Sequence, residues 1–333
     1  MNKILVTGGA GFIGSNFVSY ALERWREAEV VVLDKLTYAG NLANLDAVKY
    51  DPRFTFIRGD VADEGTVRRA VEGCDAVINF AAETHVDRSI LFPREFVFTD
   101  VVGTFTLLEV ARDVGVERFV QVSTDEVYGS IEEGAFDELA ALNPSSPYSA
   151  SKAGGDFLAL AYAKSFELPL MVARSTNNYG PYQYPEKLIP LIITNALEDR
   201  PLPLYGDGRQ VRDWLYVLDN CEALALLLER GEAGAVYNVG GDCELENVDV
   251  TRRILKVLGK PEELITYVKD RPAHDRRYAL SCERIKALGW RPATPFDAGL
   301  EATVRWYVEN EGWWRPLRDA AFEDYYRRQY GGR

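Results

Sequence analysis

A short apolar run, Lys3-Ile4-Leu5-Val6-Thr7, passes directly into Gly8-Gly9-Ala10-Gly11-Phe12-Ile13-Gly14 and then into a helical pattern. Few folds accept that junction. Glycines at 8, 11 and 14 permit a tight turn, close approach of the backbone to a diphosphate and close packing of helix on strand, with the phosphates at the positive end of the helix. A second strand, Val30–Leu33, ends in Asp34, twenty residues after Gly14, where a carboxylate accepts hydrogen bonds from an adenosine ribose and repels a 2′-phosphate. The expected cofactor is therefore NAD rather than NADP.

The rest of the N-terminal half continues the alternation. Strands are expected near 3–7, 29–34, 54–58, 76–80, 118–123 and 170–175, with helical stretches between them, one of them near Phe96–Val114. This is the pattern of an α/β protein with a doubly wound parallel sheet of the Rossmann type. In such a sheet ligands lie beyond the carboxyl ends of the strands, which places Gly8, Asp34, Asp60, Ala81, Ala82, Thr124 and Asn177 on one rim. After Ser175 the pattern loosens into turn-rich loops and shorter helices. We expect residues 1–175 to form the NAD-binding domain and 176–333 a smaller nucleotide-sugar-binding lobe, interleaved with the first at the site.

Composition narrows the class. The net charge of −13, with no polybasic stripe, argues against a nucleic-acid-coating or membrane-surface protein, and no apolar run reaches membrane-spanning length. The first strand begins at residue 3 and leaves no room for a signal peptide, so a cytoplasmic enzyme is expected. Cys74, Cys221, Cys243 and Cys282 are scattered, with no metal-ligand spacing, and are expected to be buried reduced thiols; no metal site is expected.

Chemistry is concentrated in two segments. Ser123-Thr124-Asp125-Glu126-Val127-Tyr128-Gly129 closes an apolar strand, and Tyr148-Ser149-Ala150-Ser151-Lys152 opens a helix. A Tyr and a Lys four residues apart share a helix face, so the ammonium can favour the phenolate and let Tyr148 take a proton from an alcohol. Asp125 and Glu126 add a second proton-handling pair. Oxidation of an alcohol alone does not need adjacent carboxylates, whereas oxidation followed by loss of water needs both an acid and a base. In the second lobe Pro203–Arg212, Glu246-Asn247 and Arg271–Tyr278 combine cations with aromatic rings, which suits a nucleoside diphosphate.

The glycine turn and the Tyr148/Lys152 pair resemble the extended short-chain dehydrogenase/reductase superfamily over essentially the whole chain. Leu36–Asn41, Ala81–Ser89, Ser123–Gly129, Asn177–Pro190 and Leu204–Gly208 are similar more narrowly to the dTDP-glucose 4,6-dehydratase family of deoxysugar biosynthesis. That resemblance implies a cycle: Tyr148 deprotonates the C4 hydroxyl, Thr124 hydrogen-bonds the same oxygen, and NAD oxidises C4. Glu126 then removes the C5 proton, Asp125 protonates the departing C6 hydroxyl, and hydride returns to C6. The resemblance carries cofactor contacts onto Phe12, Ile13, Asp34, Lys35, Thr37, Asp60, Val61, Ala81, Ala82, Thr99, Tyr148, Lys152 and Asn178. For the nucleotide sugar it carries over Thr84, His85, Asn177, Lys187, Leu188, Pro203, Tyr205, Arg212, Asn247, His274 and Tyr278. The two histidines are read as ordinary packed or surface residues as far as catalysis goes, with contact to substrate or cofactor phosphate favoured over proton transfer. The family also implies a homodimer, through the apolar faces of the Phe96–Val114 and Tyr148–Phe166 helices. Asp100 departs from the family's usual Asn, which puts water-bridged support of Lys152 through that position in doubt.

Two other readings use the same fold. One is an NAD-retaining 4-epimerase or decarboxylase, neither of which needs an acid/base pair at 125 and 126; the other is a nucleotide sensor without catalysis, against which Thr124, Tyr148 and Lys152 argue.

Overall fold

The computed structural model describes residues 1–272 and 274–330. Strands β1 (Lys3–Thr7), β2 (Glu29–Asp34), β3 (Phe54–Arg58), β4 (Ala76–Asn79), β5 (Arg118–Thr124) and β6 (Leu170–Ser175) fall on the apolar runs within a residue or so. All pair in parallel. Ile4, Leu5 and Val6 of β1 are buried on both faces, which is why the central strands read as continuous apolar runs rather than as alternations.

Beyond β6 the chain builds a second lobe with β7 (Asn177–Tyr179), β8 (Leu202–Tyr205) and β9 (Val211–Tyr216), then returns to the first sheet as β10 (Val236–Val239) before adding β11 (Glu244–Glu246) and β12 (Ile265–Val268). The large sheet has the order β10-β6-β5-β4-β1-β2-β3, and the second lobe holds sheets β11-β9-β7 and β12-β8. The chain reverses its direction of winding between β1 and β4, so the loops leaving those two strands diverge and open a crevice at their carboxyl ends. Helices Phe12–Arg24 and Val217–Arg230 cover one face of the large sheet, the latter drawn from beyond residue 175. Glu64–Val71, Thr104–Val114 and Pro147–Phe166 cover the other. The second lobe closes over its own core, which includes Ile192, Trp214, Ile254, Leu300 and Trp314.

The Phe96–Val114 stretch is not one uniform α-helix. Val97–Gly103 winds as a π-helix before Thr104–Val114 continues as α. Such wide turns tend to occur at functional sites, and this one carries Thr99 to the crevice and buries Asp100 behind it. Gly103 lets the segment lie against Val61: a Cβ there would stand 2.6 Å from the Val61 side chain. All four cysteines are free; Cys221 and Cys282 are buried as expected, but Cys74 and Cys243 are only partly so, because each lies in a connection between elements. Among the described residues no helix is long and apolar enough to cross a membrane, and no cluster of His, Cys, Asp or Glu is arranged to hold a metal.

Candidate active site

One cavity of about 390 Å³ runs along the carboxyl rim of the large sheet and under the second lobe. Every residue assigned above to cofactor, catalysis or substrate lines it.

At the β1 end, Gly8 has φ +67°, and a Cβ there would lie 2.7 Å from the Ala81 amide, so only glycine lets the β1 and β4 loops meet. A Cβ on Gly14 would collide with the Gly8 carbonyl. Gly11 caps the Phe12–Arg24 helix without any side-chain bond, which leaves the first-turn N–H groups open to an anion. Asp34 is buried and accepts from the Ala10 amide at 2.9 Å and from the Leu36 amide at 2.7 Å, so it organises the turn while still facing the cavity. Lys35 pairs with Asp60 at 2.7 Å. Asn177 Oδ1 and Asn178 Oδ1 are buried without a hydrogen-bond partner. A glycine cradle at a helix start, an acid at the end of β2 and orphaned amide oxygens fit a dinucleotide.

The turn Thr124–Tyr128 follows β5. Thr124 Oγ1 donates to Asp125 Oδ1 at 3.1 Å and accepts from the Glu126 amide at 3.3 Å. Asp125 Oδ2 is buried and unpartnered. The turn is buttressed from the returning strand: Tyr128 donates to Asn238 of β10 at 2.8 Å and accepts from Arg174 of β6 at 2.7 Å. Burial pushes the Asp125 carboxyl well above its ordinary range, and the Glu126 charge adds to this. Burial also raises Glu126, opposed by the Arg271 and Arg212 guanidinium groups. Both carboxyls are therefore shifted toward the protonated form, and the pair offers the two protonation states that acid and base chemistry needs.

Tyr148 and Lys152 come from the Pro147–Phe166 helix, whose start is fixed by Pro147 and by a Ser146/Ser149 capping box. Burial, then the charges of Glu126 and Asp100, hold the Tyr148 phenol well above its usual range. Lys152 is a neighbour on the same face, and its ammonium donates to the Val122 carbonyl at 2.8 Å. Asp100 accepts from Ser151 Oγ at 2.5 Å and from the Glu83 amide at 3.0 Å. Its carboxyl is pushed up to about 6 by burial, with the Lys152 charge opposing, so the position acts on Lys152 as a charge. Glu83, missed by sequence reasoning, is pushed up to about 7 by burial and then by Asp100.

At the far end Lys187 donates to the Thr84 carbonyl. Arg212 lies 4.2 Å over the Tyr278 ring and donates to the Asp275 carbonyl at 3.0 Å. Tyr205 donates to Asp87 at 2.9 Å. Asn247 Oδ1 is buried without a partner, and Leu188 and Pro203 supply apolar wall. Burial and neighbouring cations push His85 down, and His274 down to about 4, so both rings are neutral at pH 7 and offer a phosphate hydrogen bonds but no charge. The cationic role falls to Arg271, which faces the cavity with Nε unpartnered and stands 3.7 Å from Asp87. The Arg271–Tyr278 segment carried that signal, although Arg271 was not singled out within it. Tyr330 had none: it reaches the cavity from the last helix, Ala320–Tyr330, with its ring 5.7 Å from that of Tyr205.

Fold and site together define a dinucleotide-dependent enzyme of the short-chain dehydrogenase/reductase superfamily. A sequence model described as GDP-mannose 4,6 dehydratase matches residues 5–303, and the chain belongs to that family. It is 50% identical to a dTDP-glucose 4,6-dehydratase of Streptomyces niveus over 321 residues, 95% of this chain and 96% of the relative. Among solved structures it is similar to DesIV, a dTDP-glucose 4,6-dehydratase from Streptomyces venezuelae with NAD and TYD bound, with TM-score 0.93 and 52% identity over 95% of this chain and 99% of that one. A UDP-glucose 4-epimerase from Thermus thermophilus in complex with NAD shares the architecture at TM-score 0.86, but with 34% identity over 92% of this chain and 99% of that one.

Proposed function

We propose that the chain is an NAD-dependent lyase that converts dTDP-glucose to dTDP-4-keto-6-deoxyglucose in deoxysugar biosynthesis. The observation that carries this reading is the pair Asp125–Glu126 beside Thr124 and Tyr148 in one cavity, with burial raising both carboxyls and two guanidinium groups opposing the rise of Glu126. Residues 1–175 supply most of the NAD site and 176–333 most of the sugar-nucleotide site. Gly8, Gly11, Gly14, Asp34 and Asn178 hold the cofactor, which when bound supplies a hydride acceptor at C4 and a hydride donor at C6.

The side chains account for the remaining chemistry. Tyr148 takes the C4 hydroxyl proton, and Thr124 orients that oxygen. Once C4 is a ketone the C5 hydrogen is acidic and Glu126 removes it. Asp125 delivers its proton to the C6 oxygen, which leaves as water. Arg212, Arg271 and Lys187 bring positive charge to the diphosphate, and the burial that withdraws water strengthens each of these interactions. Incubating the NAD-loaded enzyme with dTDP-glucose and recording proton NMR tests the reading: a new C6 methyl signal with a 4-ketone is expected, and C4 inversion with C6 intact overturns it in favour of an epimerase.

A homodimer is part of the proposal. Phe98, Phe105 and Phe157, on helical segments 97–103, 104–114 and 147–166, are 47%, 45% and 61% exposed, a large apolar surface for a monomer to leave in water. Sedimentation at micromolar concentration should show twice the chain mass. A cytoplasmic location agrees with four unpaired cysteines.

A further inference from the structure

Oxidation at C4 leaves the hydride on the cofactor and a ketone on the sugar, and the cycle closes only if both stay in the cavity until C6 has taken the hydride back. The cavity wall must therefore hold together through turnover. It is assembled from segments far apart in the chain: Thr37 and Gly40 after β2, Asp87 after β4, Lys187 before the Leu188–Leu197 helix, and Tyr330 at the end of the last helix.

These segments meet on one side chain behind the wall. Arg88 Nε donates to Glu186 Oε2 at 2.8 Å, and its guanidinium carbon lies 3.8 Å over the Tyr38 ring and 4.5 Å over the Tyr325 ring. The Glu186 side chain is 2% exposed and its other oxygen is buried without a partner, so its charge depends on Arg88. A planar guanidinium can serve a carboxylate with its edge and rings with its faces, which the point charge of an ammonium does far less well. Tyr184 repeats the link, its ring 5.4 Å from that of Tyr38 and 6.4 Å from that of Phe322. The last helix is fastened to the second lobe by Arg200–Glu323 at 2.8 Å and by Asn195–Tyr326 at 3.1 Å. Arg88 thus joins a cover carried by the second lobe to the loop that follows Asp34 on the cofactor side.

We propose that Arg88 is a positioning residue that clasps the cavity shut across the cycle, holding the Tyr38 loop, the Glu186 loop and the last helix together so that reduced cofactor and keto intermediate are retained until the hydride has returned. The inference rests on the dehydratase reading of the site. Opening the clasp removes no group that handles a proton or a hydride. Instead it lets the first half of the reaction escape: the C4 hydrogen and its electron pair leave as the hydride of free NADH, the C4 hydroxyl proton passes through Tyr148 to solvent, and the sugar leaves as a 4-ketone that keeps its C6 oxygen.

The test uses NAD-loaded enzyme and dTDP-glucose, with rapid ultrafiltration at intervals; the filtrate is read for NADH by fluorescence and for the 4-keto sugar by mass spectrometry. Arg88→Lys keeps the charge that Glu186 needs but loses the planar stack, and Tyr325→Leu keeps the ion pair but loses one ring. Both should turn over at first near the wild-type rate, release NADH and dTDP-4-ketoglucose in equal amounts about tenfold more often per product formed than the wild type, the scale of one desolvated cation–ring contact, and regain lost activity when NAD is added. Tyr325→Phe keeps the ring and loses only the hydroxyl that lies 3.2 Å from His85 Nδ1, and should retain cofactor as the wild type does. Wild-type retention in Arg88→Lys or Tyr325→Leu, or release from Tyr325→Phe equal to that from Tyr325→Leu, overturns the clasp. Wild-type enzyme that forms no 4-keto-6-deoxy product overturns the dehydratase reading instead, and the clasp is then read without the reaction, from the loss of pre-bound NADH on gel filtration, which Arg88→Lys and Tyr325→Leu should hasten and Tyr325→Phe should not.

Discussion

Lys152 Nζ donates to the carbonyl of Val122 at 2.8 Å, which ties the Pro147–Phe166 helix to the end of β5 and sets Tyr148 beside the Thr124–Tyr128 turn. The ammonium is a structural tie as well as a charge, so positioning and electrostatics in this site are coupled through one residue.

Tyr148→Phe removes the proton acceptor and leaves the ring's contact with Phe96, whose centroid is 6.1 Å away, nearly unchanged. Turnover should fall by at least about 10², while affinity for dTDP, measured by calorimetry, stays near the wild-type value. Near-normal turnover removes Tyr148 from the mechanism.

Glu126→Gln interrupts the cycle after C4 has been oxidised. Absorbance of reduced cofactor should rise on adding substrate and persist, and the bound sugar should be a 4-ketone that retains its C6 oxygen. No reduced cofactor in this variant places Glu126 earlier in the sequence, or in binding alone.

Hydrogen tracing tests the order of events independently of any substitution. Substrate deuterated at C4 should give product with deuterium in the new methyl group, whereas reaction in heavy water should label C5. Label remaining at C4 contradicts internal return of the hydride.

The rate should have a bell-shaped dependence on pH. Glu126 must be ionised, so activity falls as pH drops through its value, which burial places above the ordinary carboxylate range; Asp125 must be protonated, so activity falls again as pH rises through its own, likewise raised by burial. The Arg271 charge is the leading influence holding Glu126 down. Arg271→Gln should therefore move the acid limb of kcat to higher pH. An unmoved limb shows that Arg271 acts on substrate binding alone.

Asp100 and Glu83 bear on stability. Their carboxyls are raised to about 6 and about 7 in the folded chain, so the folded state binds more protons than the unfolded one between about pH 4 and pH 7. The sign follows: their contribution is present at low pH and is lost as pH rises through those values. Asp100→Asn should lessen that loss by about 1 kcal/mol or more, read as the difference in urea stability of the cofactor-free chain at pH 5 and pH 8. An unchanged difference shows that the pair does not titrate together.

Much of this protein was legible along the chain because the relevant physics is local. Strands β1, β2, β4, β5 and β6 stand out as apolar runs because they are buried on both faces, Gly8 and Gly14 because a Cβ would collide there, and the Tyr148/Lys152 pair because four residues make about one helical turn. The four-residue β10 gave no such signal, since it is a strand only by pairing with β6, and that pairing carries the buttress Asn238 to Tyr128. Tertiary structure alone also decided the charge states. Asp125 and Glu126 are neighbours of similar chemistry in the sequence, and their different surroundings come from the fold: Arg212 opposes the rise of both, whereas Arg271 is the leading charge opposing that of Glu126. Arg271 and Tyr330 enter the cavity for the same reason: the sequence determines which groups are available, but desolvation and long-range charge depend on what folds against them.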